Sequence, residues 1–242
     1  MKPEIWAHRG ASHFAPENTI PAFSLAARMG ADGVEFDIQL TKDGEIVVIH
    51  DEKVDRTTDG LGYVKEFSLA EIKKLNAAKT GDFVEIPSLA EVFELLKPTT
   101  LKINVEFKTG IVFYESIEEK ALALAEKYGL MDRIVWSSFN HYSCQKVKEL
   151  NDSADIALLS GSGIFVTAKQ CKSQKASAMH PNIRQLHNPQ LAEDCGLFGV
   201  KLRVWTVDKP DDFRFANQKK VDGIFTNRID VAKEVLGITK AY

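Results

Sequence analysis

Two strand-like runs carry charge where a strand would ordinarily bury apolar groups. In "GVEFDIQL", Glu35 and Asp37 alternate with Val34, Phe36 and Ile38. Side chains on a strand point to opposite faces with period two, so both carboxylates share one face. "KINVEFK" repeats the pattern, with Lys102, Asn104, Glu106 and Lys108 on one face and Ile103, Val105 and Phe107 on the other. If the two strands are neighbours in a barrel, three carboxylates and an ammonium meet in one interior, where uncompensated charge is expensive. An interior salt bridge ordinarily explains one such pair. Three carboxylates against one nearby lysine leave negative charge over, and an all-oxygen donor set suits a hard cation, Mg²⁺ or Ca²⁺, better than zinc. Glu35, Asp37 and Glu106 are therefore the expected ligands of one divalent cation.

Two histidines belong with them. His8 ends the run "IWAH" and is followed by Arg9 and Gly10, while His50 ends "IVVIH". Asp43-Gly44 is a strong hairpin signal, so "IVVIH" runs back antiparallel and returns His50 to the level of the carboxylates. A cation with Arg9 and Lys108 would neutralise an anionic phosphoryl group, and two imidazoles could move protons on and off oxygen. That chemistry is phosphodiester cleavage. Strand alternation is expected to point Asp51 away from His50, which leaves it outside the catalytic set. His13, His141, His180 and His187 match no proton-transfer position, although His180 ends a strand and would edge the site.

The elements that must position these residues alternate along the chain. Nine short runs, "IWAH", "GVEFDI", "IVVIH", "KINVEF", "IVWSS", "IALLS", "SAMHP", "LRVWTV" and "DGIFT", are separated by helical patterns such as "NTIPAFSLAARMG" and "YESIEEKALALAEKYG". Without the returning "IVVIH", eight strands remain, the count of a TIM (β/α)8 barrel, with a doubly wound open sheet as runner-up. The crossover from 51 to 100 is too long for one helix and holds two capping boxes, Ser68-x-x-Glu71 and Ser88-x-x-Glu91. We expect one domain over residues 1–242, with a small inserted lobe at about 51–87 and "SLAEVFELLK" in the barrel wall. The active site of such a barrel lies at the carboxyl ends of its strands.

Composition is that of an ordinary globular chain, with 44% hydrophobic and 27% charged residues and a net charge of −3. No basic run supplies a footprint for nucleic acid or an anionic membrane. No apolar run approaches the roughly 18 residues of a bilayer span, and no signal peptide precedes the first strand. Cys144, Cys171 and Cys195 are widely spaced and odd in number, which reads as buried thiols in a reducing compartment. The expectation is a cytoplasmic protein with no nucleic-acid partner and no membrane anchor.

On "AHRG", "PENTIPAF", "GADGVEFDIQLTKDGEIVVIHD", "DRTTDG", "VEFK", "WSSFN", "VWTVD" and "DGIFTN", the sequence resembles the glycerophosphodiester phosphodiesterase family across nearly its whole length. The resemblance implies a TIM barrel with a small inserted lobe, a divalent cation on Glu35, Asp37 and Glu106, and His8 and His50 as a general acid–base pair. It also implies phosphate contacts from Arg9 and Lys108, and Trp205 lining the pocket against the glycerol carbons, a position where an aromatic is as readily core. Glu17 and Asn18 would fix the loop around His8, with Thr19 starting the first helix. The family commonly shows Asn where Asp208 stands. The implied reaction converts small glycerophosphodiesters, such as glycerophosphocholine or glycerophosphoethanolamine, to sn-glycerol 3-phosphate and an alcohol. Phospholipase D-like cleavage of lyso- or sphingolipids, which would need an apolar rim, and a non-catalytic phosphodiester-binding protein are the alternatives.

Overall fold

All nine apolar runs become strands in the computed structural model, which describes residues 2–162 and 167–238; residues 1, 163–166 and 239–242 of the expected 1–242 span lie outside the described residues. The strands are β1 (Glu4–His8), β2 (Gly33–Leu40), β3 (Ile46–Val48), β4 (Lys102–Phe107), β5 (Ile134–Ser138), β6 (Asp155–Ser160), β7 (Ala178–Pro181), β8 (Lys201–Val204) and β9 (Gly223–Thr226). Interleaved with them are helices α1 (Ile20–Arg28), α2 (Leu69–Ile72), α3 (Leu89–Leu96), α4 (Ile117–Tyr128), α5 (His141–Leu150), α6 (Thr167–Ser173), α7 (Pro189–Phe198), α8 (Pro210–Gln218) and α9 (Ile229–Val235). Every strand but β3 runs parallel to its neighbours, and β1 pairs with both β2 and β9. The sheet is thus a closed eight-stranded parallel barrel and not an open doubly wound sheet. β3 returns antiparallel on the end of β2, with Ile38 opposite Val48 and Leu40 opposite Ile46.

Local sequence explains the helix ends. Thr19 caps α1 by accepting from the Ala22 N–H, and Pro21 sits in its first turn, where a missing N–H is harmless. Ser88 and Glu91 close a capping box on α3, which packs between α1 and α4 in the wall. Gly129 and Gly199 end α4 and α7 in the left-handed conformation.

Two apolar layers hold the barrel. The outward faces of the strands, among them Val34, Phe36, Ile38, Ile103, Val105 and Phe107, pack against the helices in one large core. Inside, Trp6, Val135, Ala157, Ala178 and Phe225 fill the barrel below its carboxyl-terminal mouth. Gly33 makes room for the indole, since a Cβ there would lie 2.6 Å from the Trp6 ring. Between β3 and α3 a third cluster, Val47, Ile49, Val54, Val64, Ile72, Ala77 and Ile86, gives that segment an apolar centre of its own. Among the described residues no helix is long and apolar enough to cross a membrane. The three cysteines are buried and unpaired.

Candidate active site

Register brings the carboxylates together. Asp37 on β2 is the cross-strand partner of Glu106 on β4, and His8 on β1 is the partner of Glu35. All three carboxylates are buried, and each offers an oxygen within 4.8 Å of the others. Burial, with Asp37 and Glu106 close by, pushes the Glu35 carboxyl well above its usual range. Burial also raises Glu106, against the pull of Lys108. Asp37 goes the other way: burial would raise it, but Lys108, His50 and Arg9 together hold it at about 2. Its Oδ1 is buried and accepts no hydrogen bond, which is where a hard cation would find a ready anionic oxygen. The residues therefore fit a divalent cation.

Two fixed cations flank the trio. Lys108 Nζ lies 2.9 Å from Glu106 Oε1 and 3.8 Å from Asp37 Oδ1. Burial opposes its charge, but these two anions outweigh it and keep Lys108 protonated. Arg9 adopts a left-handed backbone (φ 57°) rare for a side chain of its size. That conformation lets its N–H donate to Glu35 Oε2 at 2.9 Å while its guanidinium reaches Glu17 at 2.9 Å and approaches Asp37 at 3.6 Å. Gly10 follows at φ 79°, and a Cβ there would lie 2.7 Å from the Ala22 Cβ and 2.8 Å from the Ala22 carbonyl carbon. Gly10→Ala is expected to destabilise the fold by about 2–5 kcal/mol, the left-handed penalty plus overpacking against backbone, measured by urea unfolding.

Both histidines reach the mouth with one ring nitrogen anchored. His8 Nδ1 is 2.8 Å from Asn227 Oδ1, at the end of β9. Burial, and the neighbouring Arg9, lower the His8 imidazole to about 4, so it is neutral at physiological pH. His50 Nδ1 is 2.5 Å from Asp51 Oδ1, and its Nε2 is 3.2 Å from Lys108 Nζ. An ammonium only donates, so the His50 proton sits on Nδ1, facing Asp51.

This corrects the expectation for Asp51. β3 ends at Val48 and the chain bends through residues 50 and 51, so strand alternation no longer applies there. Arg56 holds Asp51 from the far side through its Nε at 2.6 Å and also spans Glu17 with both terminal nitrogens. Glu17 thus bridges Arg9 and Arg56, and Asn18 donates to Asp37 Oδ2 at 2.9 Å. The "PENT" turn therefore holds the loop that follows His8, through Glu17 on Arg9 and the Asn18 N–H on the Arg9 carbonyl at 3.0 Å, and braces Asp37 as well. Lys102 shares the inward face as expected, but it lies at the opposite end of the barrel, paired with Glu4.

These groups open on one cavity, lined by His8, Arg9, Glu35, His50 and Glu106 together with Phe139, His180 and Trp205. Trp205 lies just past β8, half-buried, its indole edge-on to Phe139 with centroids 5.4 Å apart. Its Nε1 donates to the His180 carbonyl at 2.8 Å. His180 is buried, and burial with Arg203 nearby keeps it far below its usual pKa.

Carboxylates, imidazoles and cationic side chains gather at the carboxyl-terminal mouth of a parallel barrel, the end at which barrel enzymes carry their active sites. Residues 8–231 match the model of the glycerophosphoryl diester phosphodiesterase family, and the chain belongs to that family; it is a phosphoric diester hydrolase. A glycerophosphodiester phosphodiesterase of Caldanaerobacter subterraneus subsp. tengcongensis is 46% identical over 231 residues, 94% of this chain and 95% of that protein. One from Bacillus altitudinis is 37% identical over 96% of this chain and 97% of its own length. Among solved structures, a putative glycerophosphodiester phosphodiesterase from Galdieria sulphuraria superposes with a TM-score of 0.89 at 26% identity, covering 98% of both chains.

Proposed function

We propose that the chain hydrolyses small glycerophosphodiesters, such as glycerophosphocholine or glycerophosphoethanolamine, to sn-glycerol 3-phosphate and the free alcohol. One observation carries this: three buried carboxylates, two anchored imidazoles and two cationic side chains converge on one cavity, in a chain 46% identical to a protein that bears this activity in its name. Glu35, Asp37 and Glu106 would hold one divalent cation, Mg²⁺ or Ca²⁺, which supplies Lewis-acid charge beside the phosphoryl group.

Arg9 and Lys108 bind the phosphoryl oxygens and offset the charge that grows on them. His8, neutral and with Nε2 unengaged, accepts the proton of the attacking hydroxyl, whether water or the substrate's own neighbouring hydroxyl. His50, once protonated on Nε2 from solvent, passes that proton to the leaving alcohol oxygen, and the Asp51 anion balances the imidazolium that carries it. Trp205 and Phe139 give the glycerol carbons an apolar wall. The inserted segment, about 51–87, braces the site through Arg56 and borders the alcohol side.

A second reading has an observation of its own. Ile111, Phe113 and Tyr142 are 72%, 79% and 84% exposed, on the loop after β4 and the start of α5. These segments are joined by the Asn140 amide donating to the Thr109 carbonyl at 3.1 Å. An apolar rim of this kind favours a substrate that keeps one acyl chain. One experiment addresses both readings: glycerophosphocholine and lysophosphatidylcholine are supplied with Mg²⁺, Ca²⁺ or chelator, and released sn-glycerol 3-phosphate and choline are counted. Cation-dependent sn-glycerol 3-phosphate from glycerophosphocholine is expected. Turnover of lysophosphatidylcholine alone would move the assignment to the second reading, and turnover unchanged by chelator would remove the cation.

A further inference from the structure

We infer that Asp208 is a positioning residue which, through Asn227, fixes the tautomer of His8 and so makes it a base. The observation is a hydrogen-bonded line across three adjacent strand ends, from the turn after β8, through the end of β9, to the end of β1. Asp208 is half-buried and lines no part of the cavity. Its Oδ1 accepts the Asn227 backbone N–H at 2.8 Å and the Thr226 hydroxyl at 3.1 Å, and its Oδ2 accepts Asn227 Nδ2 at 2.7 Å.

A primary amide can face either way, and its partners decide which. An ionised carboxylate only accepts, so the Asn227 nitrogen must face Asp208 and the Asn227 oxygen must face away. That oxygen lies 2.8 Å from His8 Nδ1 and 2.7 Å from the Ser12 hydroxyl. Ser12 is also 2.8 Å from the His8 carbonyl; its single hydroxyl proton can go to either acceptor, so Asp208 and not Ser12 decides which way the amide faces. An acceptor at 2.8 Å from Nδ1 requires the ring proton there, which leaves the lone pair on Nε2. Remove Asp208 and Asn227 is free to turn, presenting its NH₂ to His8. The ring proton then moves to Nε2, and the basic lone pair turns away to Nδ1.

The kinetic part of this inference rests on the hydrolysis proposed above; the tautomer does not. The test compares wild type, Asp208→Ala, and the double exchange Asp208→Asn with Asn227→Asp. In the exchange, the carboxylate moved to position 227 would accept from His8, while the amide moved to position 208 would donate to that carboxylate. Full-length protein labelled with ¹⁵N-histidine is examined by NMR, with and without Mg²⁺, for the protonated nitrogen of His8. Glycerophosphocholine kinetics are run in parallel. The expected result is Nδ1–H in the wild type and loss of that form in Asp208→Ala. With it goes a fall in kcat of about 10²-fold, the scale of one general base, while KM stays within about threefold because Arg9 and Lys108 are untouched. The exchange should restore both.

An Asp208→Ala protein that keeps His8 in the Nδ1–H form, or a folded exchange variant that does not regain it, would overturn the inference. If Asp208→Ala does not fold, the exchange variant decides alone by its His8 tautomer. A wild type with no glycerophosphocholine turnover would refute the proposed reaction, and the NMR comparison would still decide the role of Asp208.

Discussion

Glu35→Gln (E35Q) is expected to yield a protein more stable than the wild type in chelator and nearly inactive at every cation concentration. Three buried carboxylates share a space in which one of them, Asp37, already uses much of the attraction of Lys108 and Arg9. Glu35 is left with like charges, and burial adds to the effect. An amide in its place keeps the shape and removes the repulsion. Turnover should drop by roughly 10³-fold, because losing a ligand forfeits several kcal/mol of charge stabilisation at the phosphoryl group.

The linkage has a definite sign. A carboxyl whose folded pKa is raised binds more protons in the folded state, so stability falls as pH rises from the ordinary Glu value of 4.5 towards the raised one. Asp37 is the reverse: what it contributes is fully present above its ordinary 3.8 and is lost as pH falls through about 2. Above pH 4.5 Glu35 and Glu106 lower stability as pH rises, while His8 and His180, lowered from 6.5 by burial, add to it up to 6.5; the carboxyl contribution in chelator is therefore read as the Tm that wild type loses relative to E35Q. A bound cation cancels that loss. At 100 times Kd it adds about 2.7 kcal/mol, a rise of roughly 5–10 °C in Tm for a chain of this size. Calorimetry of both proteins at about pH 5 and about pH 8, with chelator and with Mg²⁺ or Ca²⁺, reads both effects. A cation shift in E35Q as large as in the wild type would show that this trio is not where the cation binds.

Placement of the trio was legible because strand geometry has a period of two: once Glu35, Asp37 and Glu106 were seen to alternate with apolar residues, their common face followed. The Asp43-Gly44 turn did the same for His50. Depth along the barrel was not legible, so Lys102 shares the face of Glu106 but sits at the other end with Glu4. The supports were harder still. Asp51 escaped because the strand stops at Val48 and the bend that follows has no period. Asn227 lies 219 residues from His8, and Arg56 lies 39 from Glu17. Such contacts between loops are set by how strand ends meet in space. The one trace they leave in the sequence is a polar residue at a strand end, Asn227 closing "DGIFTN" and Asp208 closing "VWTVD".

His8→Ala and His50→Ala should each lower kcat by roughly 10²–10⁴-fold with little change in Tm, since neither side chain belongs to an apolar cluster and both are partly exposed. Their neighbours separate the two roles. Asp51 is held near pKa 2, where burial is outweighed by bonds from Arg56 and His50, so it is an anion throughout the working range. It favours a proton arriving on His50. Asp51→Asn keeps an acceptor for His50 Nδ1 but removes that charge, so kcat should fall by about tenfold or more for substrates with a poor leaving alcohol. A nitrophenyl phosphodiester, whose leaving group needs no proton, should largely rescue both His50→Ala and Asp51→Asn. It should not rescue His8→Ala, because removing the proton from the nucleophile is unaffected by the leaving group. Equal rescue of both histidine variants would reverse or merge the two assignments. Wild-type rates in both would show that the imidazoles at this mouth do not carry the proton transfer.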